Sequence, residues 1–221
     1  MAKLMSARFC CRGFLSDPVP RSVVDRILTL AQLTASWCNS QPWQVVITEG
    51  AGTERFRQAL LDHARAHLQS SPAQFDFPGP RYTGAYLERR REVGWQLYGS
   101  VGVAQGDRIG AARQALENFR LFGAPHVAII STSQDLGVYG AVDCGAYVGN
   151  FVLLAQSLGI ASIPQAALAQ YSPFVREYFN LGADRRIVCG ISFGYEDRAH
   201  AANQFRTRRA NLDEAVTWVV D

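Results

Sequence analysis

The stretch TASWCNSQPWQVV, residues 34–46, sits where one hydrophobic period gives way to another. Ahead of it, from Pro18 to Ala35, Val23, Val24, Ile27, Leu28, Leu30 and Ala31 recur at spacings of three and four. That is the stripe of an amphipathic helix, and Pro20 suits its first turn. Behind it, QVVIT (44–48) is short, β-branched and closed by Gly50, the signature of a strand. The loop between them concentrates Ser36, Trp37, Cys38, Asn39, Gln41 and Pro42-Trp43 in a few residues, more polar and aromatic groups than a bare connection needs.

The same alternation continues along the chain. Thr53 is placed to cap a helix carrying Phe56, Ala59, Leu60 and Ala64. Prolines and glycines in SSPAQFDFPGPRYTG (70–84) rule out a regular element there and mark a surface excursion or lid spanning about 70–105. Residues 85–121 read as two helical pieces broken near Gly106, and HVAIIST (126–132) as a strand. A long helix at about 140–158 is apolar nearly all round, so it is expected to be central and buried. IASIP (160–164) and RIVCGISFGY (186–195) supply further strands, with a helix starting at Ser172-Pro173 between them. The segment ending in AVTWVV alternates and suits a strand added at a sheet edge, its own or a partner's. The fold class expected is α+β: a mixed central sheet surrounded by helices, in one domain covering 1–221.

Composition narrows the function. A chain of 221 residues, 48% hydrophobic and 19% charged, is globular and buries roughly 70% of its unfolded surface. A net charge of +3 is too mild for a nucleic-acid binder but leaves small anions open. No apolar run approaches the ~18 residues that span a bilayer, and MAKLMSARFCC lacks the apolar stretch of a signal peptide. Five cysteines without C-x-x-C spacing fit a reducing compartment, so the expected location is cytoplasmic. His63 and His67 lack the intervening Glu of a zinc helix, and no metal is expected. The phosphate-binding glycine loops and the G-x-S-x-G elbow are also missing, so a nucleotide phosphate would have to be held by side chains.

Those side chains are available in RFCCRGF (8–14) and FRTRR (205–209), at opposite ends of the sequence. Guanidinium forks suit phosphate, and the two clusters could meet on one. Taken in order, R-F-C-C-R-G-F, S-x-x-N-x-Q-P-W, N-F-x-x-F-G-A-P (118–125), P-Q-A-A (164–167) and R-T-x-R-x-x-L-D (206–213) resemble the FMN-dependent nitroreductase family over almost the whole chain, its branch with FGAP and PQAA forms most of all.

The resemblance implies tightly bound FMN, with NAD(P)H as a transient co-substrate, in a homodimer whose flavins lie at the subunit interface. Arg8 would then contact phosphate and ribityl. Arg12 would place positive charge near flavin N1 and O2, favouring the reduced ring. Cys10 stands where the family usually has serine, a weaker donor toward phosphate. Ser36, Trp37, Cys38 and Asn39 would come from the second subunit to cover the flavin. Gln41-Pro42-Trp43 leads into the core strand, where Trp43's simplest role is packing. Asn118 would bond the pyrimidine edge, and Pro164, Gln165 and Ala166 would form the turn near N5 and O4. Arg206 and Arg209 would complete the phosphate site, with Arg208 facing solvent.

In such enzymes flavin N5 carries the hydride chemistry, so no catalytic side chain is expected. The activity implied is NAD(P)H-driven reduction of nitroaromatics, quinones or related acceptors. Specificity would be set by the lid around Phe75, Phe77 and Tyr82 and by the helix around Trp95 and Tyr98. An ene-reductase or reductive dehalogenase is an alternative, as is a non-catalytic flavin storage or sensor module.

Overall fold

The computed structural model describes residues 1–67 and 82–220. Helix α1 (Ala2–Ala7) leads into an extended segment, and α2 (Arg21–Ala31) starts behind Pro20, turning Val24, Ile27 and Ala31 inward. Strand β1 covers Gln44–Thr48, as its β-branched run predicts. Helix α3 (Ala51–Ala66) begins earlier than Thr53, which was expected as its cap. Gly50, at φ 52°, takes the left-handed turn that swings the strand directly into the helix. Thr53 instead lies buried in the first turn, its hydroxyl bonded to that of Thr48 at 2.8 Å.

Helices α4 (Gly84–Ser100) and α5 (Arg108–Leu116) are the two pieces read from the sequence. Gly102 and Gly106 break them with positive φ, and the Asp107 side chain caps α5 by accepting from Gly110 N at 2.8 Å. Of the expected lid, residues 70–81, with Phe75 and Phe77, lie outside the described residues. Strand β2 (His126–Ser133), helix α6 (Gly137–Ser157), strand β3 (Ala161–Gln165), helix α7 (Ser172–Tyr178) and strand β4 (Arg185–Gly194) complete the order.

The sheet runs β1-β2-β4-β3, and each neighbouring pair is antiparallel. Parallel pairing, expected of a mixed sheet, is confined among the described residues to the isolated bridge Cys10–Ser162 on the outer side of β3. The cause is topological: α6 carries β2 over to a parallel β3, but β4 inserts antiparallel between them.

Both faces of the sheet are covered. Ala128, Ile130, Ile191 and Phe193 pack against Ile27 of α2 and against Cys144, Tyr147 and Phe151 of α6. Val127 and Ile129 point the other way, with Phe56 and Leu60 of α3 and Val175 of α7. A bulge between Ile130 and Ser131 shifts the register opposite β4 by one residue, which sends Ile187 to the second face although Cys189 lies on the first. His126 is a satisfied core histidine. Its Nε2 accepts from Val19 N at 2.9 Å while Nδ1 faces Thr48 O at 3.1 Å, and burial holds its pKa below the ordinary 6.5.

Helix α6 has 21 residues, a length of about 31 Å. With the turn before it, Gln134–Ser157 is long and apolar enough to cross a membrane by length and composition. Its Tyr147 and Phe151 are instead inside the core, where each such burial stabilises by about 1.5–3 kcal/mol. Burial is one-sided: Val138, Tyr139 and Val142 are each at least half exposed.

Within the single chain the expected C-terminal strand is not formed. Residues 215–220 adopt no regular element, and Trp218, Val219 and Val220 face solvent. Within the single chain this segment pairs with none of the four strands, so its backbone groups have no ladder partner. Upstream, the tail is tied to α4 by Arg89–Glu214 and Arg208–Glu92, both 2.9 Å.

Candidate functional site

The two arginine clusters do meet. After α1 the chain is extended: Cys11 N donates to Ser162 O at 3.1 Å, and Leu15 N reaches Tyr195 O at 2.9 Å. This lays residues 8–15 across the outer edge of β3 and the end of β4. Asn203 then pins the C-terminal segment onto them. Its Oδ1 accepts from Arg12 N at 2.7 Å, and its Nδ2 donates to Gly13 O and Asp197 O, both at 2.9 Å. Asn203 is 2% exposed, so each of these bonds is made away from water. Sequence reading passed over it, since an amide in AANQF carries no pattern that marks it. Gly13 is required beneath it, because a Cβ there would lie 2.2 Å from His200 Cγ.

The result is a cleft of about 320 Å³ lined by Arg8, Cys10, Arg12, Arg206 and Arg209 among others, with no carboxylate in its wall among the described residues. The Arg206 guanidinium stacks over the Phe9 ring, 3.7 Å from its centroid. Arg12, Arg206 and Arg209 donate to backbone carbonyls: Cys10 O at 3.3 Å, Asn203 O at 2.7 Å and Thr207 O at 3.2 Å respectively. Burial pushes the Arg12 pKa down, countered in part by the Cys10 and Cys11 sulfurs. Four guanidinium groups facing one cleft without a counter-charge fit a phosphate dianion. Arg208, by contrast, points out to Glu92, as expected of a solvent-facing residue. Cys10 is half-buried in the wall, whereas burial drives the neighbouring Cys11 thiol up to about 12 and leaves it inert.

Three residues further along β3, about 10 Å from Ser162, a second group assembles. Gln165 is buried, and its Nε2 donates to Asn118 O at 2.8 Å and Oδ1 at 3.4 Å; Ser192 Oγ donates to its Oε1 at 2.5 Å. The Gln165 side chain is therefore a bracket that fixes Asn118, while Pro164 is half-buried and Ala166 exposed at the strand's end. Just beyond Asn118, Leu121 and Phe122 hold left-handed φ of 56° and 52° and are both buried.

The opening loop is elsewhere. Ser36–Asn39 lie before β1, at the opposite edge of the sheet and toward its opposite end. From the strand register they are roughly 25 Å or more from Cys10. One chain thus gathers Arg8, Cys10, Arg12, Arg206 and Arg209 with Pro164, Gln165, Ala166 and Asn118 along β3, and leaves Ser36, Trp37, Cys38 and Asn39 remote.

That loop is strained and bound to α6. Cys38, Asn39 and Gln41 have φ of 52°, 54° and 47°, and Gln41 N donates to Ser36 Oγ at 2.9 Å. Trp37 N reaches Asp143 Oδ2 at 3.1 Å, and its ring meets Tyr139 edge-on at 4.6 Å, yet Trp37 is 61% exposed. Trp43 packs in the core as expected, stacked on Tyr147 at 5.0 Å, and its Nε1 donates to Gln32. Buried Arg185 clamps the far end, donating to Ser131 O at 2.8 Å and Pro42 O at 3.4 Å.

Comparison with known proteins bears on the fold as a whole. Residues 5–195 match the model of the nitroreductase family. Nitroreductase NfnB of Mycolicibacterium smegmatis is 35% identical over 98% of this chain and 91% of its own. A 4-nitrobenzoate reductase of a Nocardioides species is 32% identical over 99% and 89%. The crystal structure of the FMN-dependent nitroreductase NfnB from Mycobacterium smegmatis, in complex with NADPH, superposes with a TM-score of 0.91 at 33% identity, covering 99% of this chain and 97% of that one. A family-model match over residues 5–195 and a relative 35% identical over nearly the whole length make this chain, with its sheet of order β1-β2-β4-β3, a member of the nitroreductase family.

Proposed function

We propose that this protein is an FMN-dependent, NAD(P)H-driven reductase of nitroaromatics, quinones or related acceptors. The observation that carries the reading is the cleft on β3: four arginines without a carboxylate among the described residues at one end, and Asn118 fixed by Gln165, which lies about 10 Å along the strand from Ser162. Arg8, Arg206 and Arg209 would bind the FMN phosphate, and Arg12 would face the pyrimidine side with Asn118. The turn at Pro164–Ala166 would border the reacting edge. When bound, FMN supplies the redox centre, taking hydride from NAD(P)H and passing electrons to the acceptor. The protein's part is to hold the anion, orient the ring and keep positive charge near its electron-rich edge. The relatives named for nitrobenzoate and nitroaromatic reduction support this acceptor class over alkene reduction, dehalogenation or storage.

The active form is read as a homodimer. Trp37, Tyr139, Val138 and Val142 form a continuous exposed apolar face along α6, with Gly145, Ala146 and Gly149 beyond them also unburied. A second α6 could approach closely over those small residues. Pairing there would carry the remote Ser36–Asn39 loop of one copy toward the β3 cleft of the other, and would offer the free edge of β1 to the partner's segment 215–220. The five unpaired cysteines keep the location reading cytoplasmic.

Anaerobic spectra of the purified protein test this function. The expected result is a flavin spectrum bleached by NADPH or NADH and restored by 4-nitrobenzoate. Flavin bands that persist with both donors would overturn it in favour of a binding module.

A further inference from the structure

The two arginine clusters come from distant parts of the sequence, and one residue touches both. Asn203 does so with two different parts of itself. Its side-chain Oδ1 accepts from Arg12 N at 2.7 Å, and its backbone carbonyl accepts from Arg206 Nη1 at 2.7 Å. The residue is buried and does not line the arginine cleft, so it supports the guanidinium groups without facing an anion itself. The amide is used in full. Nδ2 gives one hydrogen to Gly13 O and the other to Asp197 O, and Gly13 O also accepts from Asp197 N at 3.0 Å and from the Cys11 thiol at 3.1 Å. One acceptor and two donors on a short stem are what asparagine offers; aspartate lacks both donors, and serine and neutral histidine each bring one. Arg206 is held at Nη1 by Asn203 O and Phe205 O and over one face by Phe9, while its Nε and Nη2 make no hydrogen bond among the described residues. That remaining edge is the fork that takes an oxyanion bidentately.

We propose that Asn203 is the positioning residue of the cofactor cleft: by bonding Arg12 through its side chain and Arg206 through its carbonyl, it fixes the spacing of the two arginine clusters and thereby the affinity for FMN. The inference rests on the FMN-reductase reading. Without the amide, the segment Ala201–Asn203 is released from Arg12 and Gly13, and Arg206 moves with the carbonyl that holds it. Every arginine is then still present, but the set is no longer arranged for one phosphate.

Flavin release from the holoenzyme, followed by flavin fluorescence on dilution, tests the role without turnover. Asn203→Ala is expected to raise the FMN dissociation constant about 10- to 100-fold, although no group lining the cleft is removed. In a double-mutant cycle that loss should overlap with the loss from Arg206→Ala, the pair costing about fivefold less than the product of the single effects. It should multiply in full with Arg8→Ala, which Asn203 does not touch. A residue that only stabilised the fold would multiply with both. Asn203→Asp keeps the shape and the acceptor but loses both donors. Its FMN affinity should therefore recover as pH falls and the carboxyl gains a proton to donate, whereas the wild type gains nothing from acid. A fully multiplicative cycle with Arg206, or wild-type affinity in both Asn203 variants, would overturn the assignment, as would failure of both variants to fold. In each of those cases the wild-type flavin still bleaches with NADPH or NADH, so only this inference is lost. A wild type that binds no FMN sinks the function beneath it.

Discussion

At the outer edge of β3, polar groups are held from several sides within one chain. Asn203 bonds three backbone groups, Gln165 brackets Asn118, and the left-handed pair Leu121 and Phe122 is locked by burial. At the β1 edge, the left-handed residues Cys38, Asn39 and Gln41 are exposed and depend on a few hydrogen bonds to Ser36 and α6. Strain of that kind costs about 1–3 kcal/mol per residue and persists only where something else requires it. The first edge is held in shape by its own chain; the second makes physical sense as a surface shaped for another molecule.

Five substitutions break or sharpen that contrast. Val142→Asp puts a carboxylate on the exposed face of α6, where it is harmless to one chain but buried twice in a pair. The dimer dissociation constant should rise on the order of 100-fold or more, read by sedimentation velocity, with flavin retention falling alongside. An unchanged dimer would place the interface elsewhere. Arg8→Ala and Arg206→Ala act on the complete edge, and each should weaken FMN binding about 10- to 100-fold in fluorescence titration of the apoprotein. Unaltered affinity in both would remove the arginines from the phosphate.

The remaining two are measured by urea unfolding and should carry opposite signs. Gln165→Leu strands the buried Ser192 hydroxyl and frees Asn118, a loss of about 1–3 kcal/mol. Cys38→Gly relieves a left-handed conformation at an exposed site and, after the extra flexibility of the unfolded glycine is subtracted, should gain up to about 1 kcal/mol. A destabilised Cys38→Gly would mean that the loop is not strained.

What the sequence showed depends on whether a feature is local. The bounds of β1, the break near Gly106 and the start of α7 follow from β-branching, glycine and Ser-Pro, all of which act within a few residues. The arginine clusters were visible as composition, and the motif order gave them a common purpose. Asn203 was invisible because its three bonds span up to 191 residues, and an amide suits any loop. Gln165 was assigned to the turn beside the flavin, but the fate of its side chain depended on Ser192 and Asn118, which only the folded sheet delivers. The helix cap went to Thr53 because the pattern S/T before an apolar run is common. The left-handed Gly50 pre-empted it.

Asn203 also bears on how the protein is made. The backbone N–H of Arg12 and the carbonyl of Gly13 leave the ribosome 190 or so residues before their partner is translated. Until then the phosphate cleft lacks one wall, so cofactor cannot be captured by a nascent or prematurely released chain. Loop closure over such a separation is slow. Closing the cleft thus waits on synthesis of the segment that carries Asn203.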